Sequence, residues 1–334
     1  MNYIVTLAPS NTAFSVEADE PILAAAKRQN LNLPHSCQNG ICGQCKAEVV
    51  SGEIIQGEHT EQALSQAERA AGKILMCCST LRSNAALNLP GYNGADSPPV
   101  KTLPSRISKI SIQGNVAILS LALPKAPPFV FLAGQYVDLL LPGNQSRSYS
   151  IANSPAQAEH IELHIRYRKG GLFSEMLFSG SLQEKAIMRI RAPLGTFTLQ
   201  DSSAPIILMA TGTGFAPMQS LLQHLIDTGS QRHVHLYWGA RHHADLYALD
   251  TAQQLIDALP HGRLTPVLSQ PNEHWPGRKG YVQTHVIADY PNLSKHEVYA
   301  CGSTDMIETA QTALHQQCGL PEQAFFSDAF SPAH

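Results

Sequence analysis

The chain has 334 residues, of which 43% are hydrophobic and 15% charged, so it can form sizeable cores and is neither disordered nor of low complexity. With 23 Lys and Arg against 26 Asp and Glu, its net charge is −3, which argues against a nucleic-acid or membrane surface as a partner. Apolar runs such as 205–210 are too short to span a bilayer. Residues 1–11 carry no basic segment typical of a secretory signal, so we expect a cytoplasmic protein.

Proline and glycine divide the chain into segments. Residues 90–104 contain four prolines and two glycines, a composition that supports neither a helix nor a central strand. A second boundary lies near 201–205, where a strand-rich region gives way to alternating strands and helices. We therefore predict a first domain, a linker, a second domain and a third domain, in that order: 1–90, 91–103, 104–200 and 204–334.

The first segment predicts a small mixed α and β domain. Residues 3–7 and 13–17 have the composition of strands. Pro21 is favoured at the start of a helix and predicts one that runs to about Asn30. Later, the sequence from Ser65 to Glu68 has the form of a capping box, and Gly72 ends the short helix that it begins.

The middle segment predicts antiparallel strands. Ile161, Leu163 and Ile165 alternate with polar residues, which is the period of a half-buried strand. Similar runs predict a barrel or a sandwich; they lie at 107–112, 116–123, 137–141 and 188–191.

The last segment predicts a parallel sheet covered by helices. A buried strand at 205–210 leads through a glycine turn into an amphipathic helix, and further strands follow at 234–238 and 298–301. A final helix begins near Thr304 and ends at Gly319. Alternation of this kind places a nucleotide site at the carboxyl edge of the sheet.

Four of the seven cysteines form a tight pattern, C-x4-C-x2-C followed by a fourth after thirty-one residues. This is the spacing of plant-type 2Fe-2S ferredoxins, and it disfavours a disulfide framework. Zinc or free thiols are the alternatives, but zinc sites usually combine two C-x2-C halves and only one is present. Gly40 and Gly43 allow the loop to turn back with its N–H groups toward the sulfurs. The predicted ligands are Cys37, Cys42, Cys45 and Cys77, with the adjacent Cys78 as an alternative to the last.

A flavin site is predicted where the middle segment changes direction. In the run 147–150, an Arg can clamp a pyrophosphate, a Tyr can pack on an isoalloxazine ring and hydroxyls can bond the ribityl chain. Taken alone, this run is better explained as an ordinary strand with alternating polar residues. It is followed by Arg166 and by a glycine turn that begins a helix at 170–174, which can present free N–H groups to a phosphate.

A dinucleotide turn is predicted at 212–217, between a buried strand and an amphipathic helix. The run is not a full GxGxxG fingerprint, so a plain strand-to-helix turn is the alternative. Cys301 and Gly302 follow another strand of the same sheet, where a buried cysteine packing as a small apolar group is the alternative to a functional one.

Together these motifs resemble the ferredoxin-NADP+ reductase-type flavoproteins that carry an N-terminal plant-type ferredoxin domain. The resemblance covers nearly the whole chain and implies a β-grasp 2Fe-2S domain, an antiparallel β-barrel FAD domain and a parallel-sheet α/β NAD(P) domain. Its R-x-Y-S and G-G-x-x-S motifs imply an FAD site, and the stretch before the fourth cysteine implies Cys77 rather than Cys78. Thr211 departs from the glycine that the family more often has there. The implied cofactor contacts are Arg147, Ser148, Tyr149, Ser150, Arg166, Gly170, Gly171, Ser174, Gly212, Thr213, Gly214, Pro217 and Gly302.

The resemblance also implies two residues at the reacting rings. Cys301 would help to position the nicotinamide near the flavin, and Phe330, close to the C-terminus, would lie against the isoalloxazine. No acidic residue that would bond the coenzyme ribose is evident after the strand at 234–238, and Arg241 could meet a 2′-phosphate. Similar reductases nevertheless prefer NADH, so we expect NADH with some tolerance of NADPH.

The implied function is electron transfer from NAD(P)H through FAD to the 2Fe-2S cluster and on to a partner protein. Within the family, the sequence resembles the CDP-6-deoxy-Δ3,4-glucoseen reductases, whose partner is an iron-sulfur dehydrase that acts on a CDP-linked deoxyhexose. A reductase component of an aromatic-ring oxygenase and an NAD(P)H-flavin reductase are the alternatives. A binding or sensor protein that has the same folds without turnover is a further one.

Overall fold

The computed structural model describes residues 2–35, 38–41, 43–89, 92 and 98–330, without the side chain of Asn144. These residues form two compact units. One comprises Met1–Lys101 and Leu194–Thr196, and the other comprises Thr102–Pro193 and Phe197–His334. None of the helices in the described ranges is long and apolar enough to cross a membrane.

The first unit is a β-grasp domain, as predicted. Its main sheet has the order β2-β1-β7-β3-β5, in which β1 and β7 are parallel, and β4 and β6 form a small second sheet. The predicted capping box is present at Ser65, and the helix that it begins ends before Gly72, whose φ is +82°. The elements are β1 (Asn2–Ala8), β2 (Thr12–Glu17), α1 (Ile22–Arg28), β3 (Lys46–Ser51), β4 (Ile54–Gln56), α2 (Gln66–Ala70), β5 (Lys73–Leu75), β6 (Ser79–Leu81) and β7 (Ala85–Asn88).

The second unit begins with an antiparallel barrel, which confirms the fold expected for this segment. Its strand order is β11-β10-β13-β8-β9-β12, and an antiparallel bridge between Ile151 and Leu163 joins the two ends. Alternate residues of each strand fill the interior, including Leu163. The elements are β8 (Lys101–Gln113), β9 (Val116–Ala122), β10 (Tyr136–Leu141), β11 (Gln145–Ser150), β12 (His160–Arg166), α3 (Leu172–Phe178) and β13 (Ile187–Leu194).

The boundary before the barrel differs from the sequence prediction. We predicted a linker over 91–103, but β8 already begins at Lys101 and includes Pro104. The first residue of β8 in register with β9 is Arg106, so the N–H that Pro104 lacks is not needed by that ladder. Most of the remaining linker, 91 and 93–97, lies outside the described residues.

The rest of the second unit is the predicted parallel sheet. Its order is β17-β16-β15-β14-β18-β19, so the chain moves outward from β14 in one direction and then returns to β18 on the other side. A crevice opens at such a reversal, and open α/β sheets bind ligands there. The elements are β14 (Ile206–Thr211), α4 (Phe215–Asp227), β15 (Val234–Ala240), α5 (Leu249–Asp257), β16 (Gly262–Leu268), β17 (Arg278–Lys279), α6 (Val282–Asp289), β18 (Glu297–Ser303), α7 (Thr304–Cys318) and β19 (Phe325–Phe330).

Candidate functional site

The turns that follow β14 and β18 touch each other at the crevice. A Cβ on Gly214 would collide with the carbonyl of Cys301, and one on Gly302 would collide with the hydroxyl of Thr211. The N–H of Ser303 donates to Thr211 Oγ1 at 3.3 Å. Glycine is therefore required on both turns, and the departure at Thr211 supplies a hydrogen bond that ties them together.

Gly212 lies where the two halves of the second unit meet. Its φ is +54°, which favours glycine, and its carbonyl accepts a hydrogen bond from Trp238 Nε1 at 3.0 Å. A Cβ at Gly212 would lie 3.5 Å from a guanidinium nitrogen of Arg166, at the end of β12. Thr213 is half-buried in the same turn, and Pro217 is buried in the first turn of α4. Arg166 of the predicted flavin site thus lies beside Gly212 of the predicted dinucleotide turn.

Cys301 is fully buried below this turn. Burial, with a smaller contribution from Asp328, raises the pKa of its thiol well above the ordinary value, so the thiol stays protonated at neutral pH. Phe330 is opposite Ser303 in the β18–β19 register, and its half-buried ring packs on the core that includes Cys301 and Trp238. Both residues that were predicted near the reacting rings therefore lie at the same edge of the sheet.

The barrel places the R-x-Y-S run on β11. Tyr149 lies 5.8 Å from Phe173, centroid to centroid, and burial raises the pKa of its phenol to about 12. Arg147 is half-buried, and its guanidinium donates to Ser146 O at 2.8 Å. An aromatic face and a cation therefore lie on the same strand, as a flavin and its pyrophosphate require.

The two serines of this run have different environments. The Ser148 hydroxyl donates to Asp138 Oδ1 at 2.6 Å, and Arg191 forms an ion pair with the other carboxylate oxygen at 2.6 Å. The Ser150 hydroxyl is buried and has no hydrogen-bond partner among the described residues. Buried hydroxyls are normally bonded, so Ser150 fits a site that a polar group of FAD would complete.

Hydrogen bonds to residues in the first turn of α3 stabilise the glycine turn that precedes this helix. Ser174 Oγ accepts from the N–H of Arg168 at 3.1 Å, and the N–H of Gly170 donates to Glu175 Oε1 at 2.6 Å. A Cβ on Gly171 would lie 2.6 Å from Ser174 Oγ, so glycine is needed there. The first N–H groups of a helix lack partners within it, so the backbone at the start of α3 has hydrogen-bond donors available for an anionic group.

The sequence motifs placed Arg166 at the flavin site but did not single out Glu162 and His164, which lie on the same face of β12. Glu162, His164 and Arg166 share that face because their spacing is two residues, and the first two bond to α4 and to Tyr247. The alternation of apolar and polar residues in β12 predicted that this face is polar and lies away from the barrel interior. It gave no sign that this face meets another part of the chain.

In the first unit, the described part of the predicted cluster site comprises Cys45 and Cys77, because Cys37 and Cys42 lie outside the described residues. Both described cysteines are buried. The neighbouring Cys45 thiol is the main cause that raises the pKa of Cys77, to about 12, and the N–H of Gly40 bonds to the Cys77 sulfur. Two adjacent buried sulfurs with an N–H group directed at one of them fit a 2Fe-2S cluster, whose sulfurs commonly accept such bonds.

Comparisons with known proteins agree with this architecture. Family models for a 2Fe-2S iron-sulfur cluster binding domain, an oxidoreductase FAD-binding domain and an oxidoreductase NAD-binding domain match residues 5–82, 106–199 and 208–312.

Among curated proteins, the CDP-6-deoxy-L-threo-D-glycero-4-hexulose-3-dehydrase reductase of Yersinia pseudotuberculosis is 40% identical over the whole of both chains. The phenol 2-monooxygenase reductase component DmpP of a Pseudomonas species is 33% identical over 100% of this chain and 96% of its own. Among solved structures, the cytochrome P450 reductase GcoB of Amycolatopsis has a TM-score of 0.81 at 29% identity, covering 99% of this chain and 100% of its own.

The relatives span the full length of the chain, and all three predicted cofactor types have a matching domain. These similarities confirm the predicted fold, enzyme class and cofactors. They also support the coarser part of the partner prediction, because the relatives are reductase components that serve other proteins. The chain belongs to the ferredoxin-NADP+ reductase-type flavoproteins with a plant-type 2Fe-2S domain, which pass electrons from NAD(P)H through FAD to the iron-sulfur cluster.

Proposed function

We propose that this reductase supplies electrons to an iron-sulfur dehydrase that acts on a CDP-linked 4-keto-6-deoxyhexose. The observation that carries the proposal is the 40% identity, over the whole of both chains, to a reductase named for such a dehydrase. The phenol 2-monooxygenase reductase component is 33% identical, so an oxygenase is the second candidate partner. We place the reaction in the cytoplasm, where thiols stay reduced; no disulfide joins the described cysteines.

The proposed FAD site combines the barrel strands with the turn before α3. Arg147 and the backbone at the start of α3 hold the pyrophosphate, while Tyr149 and Ser150 contact the flavin ring system. Ser148 fixes β11 through Asp138. Bound FAD and the cluster supply the redox chemistry, in which a hydride is accepted and single electrons are passed on. The full set of proposed FAD contacts is Arg147, Ser148, Tyr149, Ser150, Arg166, Gly170, Gly171 and Ser174.

The proposed coenzyme site lies at the crevice between β14 and β18. Gly212, Thr213, Gly214 and Pro217 allow the pyrophosphate to approach the N-terminus of α4, where the helix dipole favours a negative charge. Gly302 and the neutral thiol of Cys301 form the floor on which the nicotinamide rests. Because that thiol is protonated and buried, it packs against the ring and does not act as a nucleophile.

A reconstitution with candidate partners tests the proposal. The purified reductase, a dehydrase bound to its sugar nucleotide and NADH should together consume coenzyme and substrate in equal amounts, and neither protein should do so alone. Faster coupling to a phenol hydroxylase oxygenase than to the dehydrase would favour the second candidate. Preferential reduction of free flavin, with little transfer to either protein, would identify a flavin reductase. If NAD(P)H reduced neither ferricyanide nor cytochrome c, the chain would be a binding protein.

A further inference from the structure

A buried chain of hydrogen bonds joins the barrel to the nucleotide-binding sheet. His164 Nε2 lies 3.0 Å from Glu162 Oε1, and His164 Nδ1 lies 2.6 Å from the Tyr247 hydroxyl. Gln219 of α4 donates to the same oxygen of Glu162 at 2.8 Å. The His164 side chain is 0% exposed. The imidazole therefore bonds on one side to its own strand and on the other to the segment that follows β15.

The direction of each bond follows from the chemistry of its partners. A carboxylate only accepts, so Nε2 of His164 carries a proton and donates to Glu162. In the neutral imidazole, Nδ1 is then the acceptor and the Tyr247 hydroxyl is the donor. Burial raises the pKa of the Tyr247 phenol well above its ordinary value, which keeps the hydroxyl protonated as a donor. Burial alone would raise the pKa of Glu162, but the bonds from His164 and Gln219 lower it, so this carboxylate stays ionised.

Tyr247 connects this chain to the coenzyme turn. Its ring meets the indole of Trp238 edge to face at 5.5 Å and the ring of Phe215 at 6.4 Å. Trp238 in turn donates to the carbonyl of Gly212. The Tyr247 ring is therefore linked through Trp238 to the turn at Gly212.

Hydride transfer depends on the distance between two rings that different halves of the unit would hold. Reacting atoms must approach to roughly 3–3.5 Å, and a misplacement of about 1 Å can slow the step about 100-fold. The barrel would hold the flavin, whereas the turns after β14 and β18 would hold the nicotinamide. Whatever fixes the barrel against these turns fixes that distance.

We infer that His164 and Tyr247 are positioning residues that set the approach of the nicotinamide to the flavin. The inference rests on the proposed placement of both cofactors. Neither side chain takes part in the redox step. Their hydrogen bond fixes the distance between β12 and the turn at Gly212. Without this bond, the proposed FAD and coenzyme sites would each remain intact but would no longer be aligned with each other.

The test uses the FAD- and cluster-loaded enzyme and anaerobic stopped-flow reduction by NADH. Tyr247→Phe removes one hydroxyl and keeps the ring on Trp238. We expect the limiting rate of flavin reduction to fall tenfold or more, the apparent coenzyme dissociation constant to stay within about twofold, and the charge-transfer absorbance with NAD+ to weaken.

Substitutions at His164 distinguish alignment from folding. His164→Gln can still accept from Tyr247 and donate to Glu162, so it should retain most of the rate, whereas His164→Leu should lose it. The matched control is His160→Leu, because His160 is on the same strand and face but forms its ion pair with the exposed Glu159 and no hydrogen bond to Tyr247 among the described residues. Full rates in Tyr247→Phe and His164→Leu, or an equal loss in His160→Leu, would overturn the inference.

Two further outcomes have distinct meanings. A lowered melting temperature in Tyr247→Phe with an unchanged flavin reduction rate would make the bond purely structural and would overturn the inference. If the wild-type flavin is not reduced by NADH or NADPH, the proposed function fails, and with it the basis of the inference. Rapid reduction of the wild type with unaffected variants would overturn only the inference.

Discussion

The sulfur atoms of Cys77 and Cys78 lie 3.6 Å apart, yet the two side chains have different surroundings. Cys77 is buried beside Cys45 and accepts the N–H of Gly40. Cys78 is half-buried, and its sulfur accepts a hydrogen bond from Gln56 Nε2 at 3.4 Å. The Gln56 carbonyl is already bonded by the Leu75 N–H and the Ser79 hydroxyl, which fixes the amide with its nitrogen toward Cys78.

This difference predicts that Cys77 is the fourth cluster ligand. Cys77→Ser should abolish the visible absorbance and the EPR signal of the cluster, because a hydroxyl is a much poorer iron ligand than a thiolate. Cys78→Ser is the control and should retain both signals. Loss of the cluster in Cys78→Ser, with its retention in Cys77→Ser, would reverse the assignment.

A second prediction concerns the unbonded hydroxyl of Ser150. An unsatisfied buried hydroxyl costs about 1–3 kcal/mol, so Ser150→Ala should leave the free energy of unfolding of the apoprotein unchanged or higher. The same substitution should weaken FAD binding severalfold, because a hydrogen bond contributes about 1 kcal/mol net. Urea unfolding of the apoprotein and titration with FAD measure the two effects.

Ser148→Ala, in the same proposed FAD site, is the comparison variant for this prediction. It removes a hydrogen bond to the buried Asp138, so it should lower the stability of the apoprotein and affect FAD binding less. The opposite result for Ser150→Ala, lower stability with unchanged FAD affinity, would show that its hydroxyl serves the fold and not the cofactor.

A third prediction is a pH dependence of stability that comes from His235. Burial, with the positive charge of Arg263, lowers the pKa of His235 to about 3, and its ring bonds to Tyr290 and Thr265. An unfolded histidine titrates near pH 6.5, so the unfolded chain binds the proton first. The stability that comes from burying neutral His235 is therefore fully present above about pH 6.5. Below that pH, the free energy of unfolding falls by about 1.4 kcal/mol per pH unit until the pH reaches about 3.

The free energy of unfolding of the second unit, measured between pH 7 and pH 5, gives the slope of stability against pH. His235→Gln can keep both hydrogen bonds but cannot be protonated. Its free energy of unfolding should therefore change less with pH, by the amount that corresponds to the uptake of about one proton on unfolding. The exposed His274, changed to Gln, is the control for simple loss of an imidazole. An identical slope in His235→Gln and the wild type would contradict the prediction.

A fourth prediction concerns the choice of coenzyme. We expect a higher kcat/KM for NADH than for NADPH, as in similar reductases, with some use of NADPH because Arg241 is exposed directly after β15. Asp245 in the same turn accepts from the N–H of His242 at 3.1 Å and lies 3.8 Å from Arg166. Arg241→Ala should reduce kcat/KM for NADPH several-fold and leave that for NADH unchanged. A wild type that favours NADPH would reverse the expectation.

The sequence predicts most of the local structure because its signals are local. The capping box at Ser65, the helix stop at Gly319, whose φ is +64°, and the period of two in β12 each depend on a few neighbouring residues. The order of the motifs along the chain then indicated the family, and through it the three folds.

The bond between His164 and Tyr247 could not be predicted in this way. The two residues are 83 positions apart, and their contact exists only once the barrel packs on the parallel sheet. The same holds for Gly214, whose need for glycine comes from the carbonyl of Cys301 in another strand. Each requirement arises from packing between elements, so no short stretch of sequence records it.

The last prediction is that Phe330 shields the flavin and must move before the nicotinamide can stack in its place. Phe330 is paired with Ser303 at the edge that carries Cys301 and is half-buried against the same core. A stacked aromatic pair adds about 0.5–1.5 kcal/mol beyond burial, enough to exclude water and little enough for a coenzyme to displace. Displacement would then be a step of each catalytic cycle.

Substitutions of Phe330 in opposite directions test this role. Phe330→Ala should tighten NAD+ binding and strengthen the charge-transfer band, because the coenzyme no longer competes with a ring. Phe330→Trp should slow hydride transfer, because a larger aromatic surface is harder to displace, and should leave electron flow from flavin to cluster nearly unchanged. Stopped-flow reduction by NADH separates the two steps by their absorbance. If both variants keep the coenzyme affinity and the hydride-transfer rate of the wild type, the Phe330 ring only anchors the end of β19.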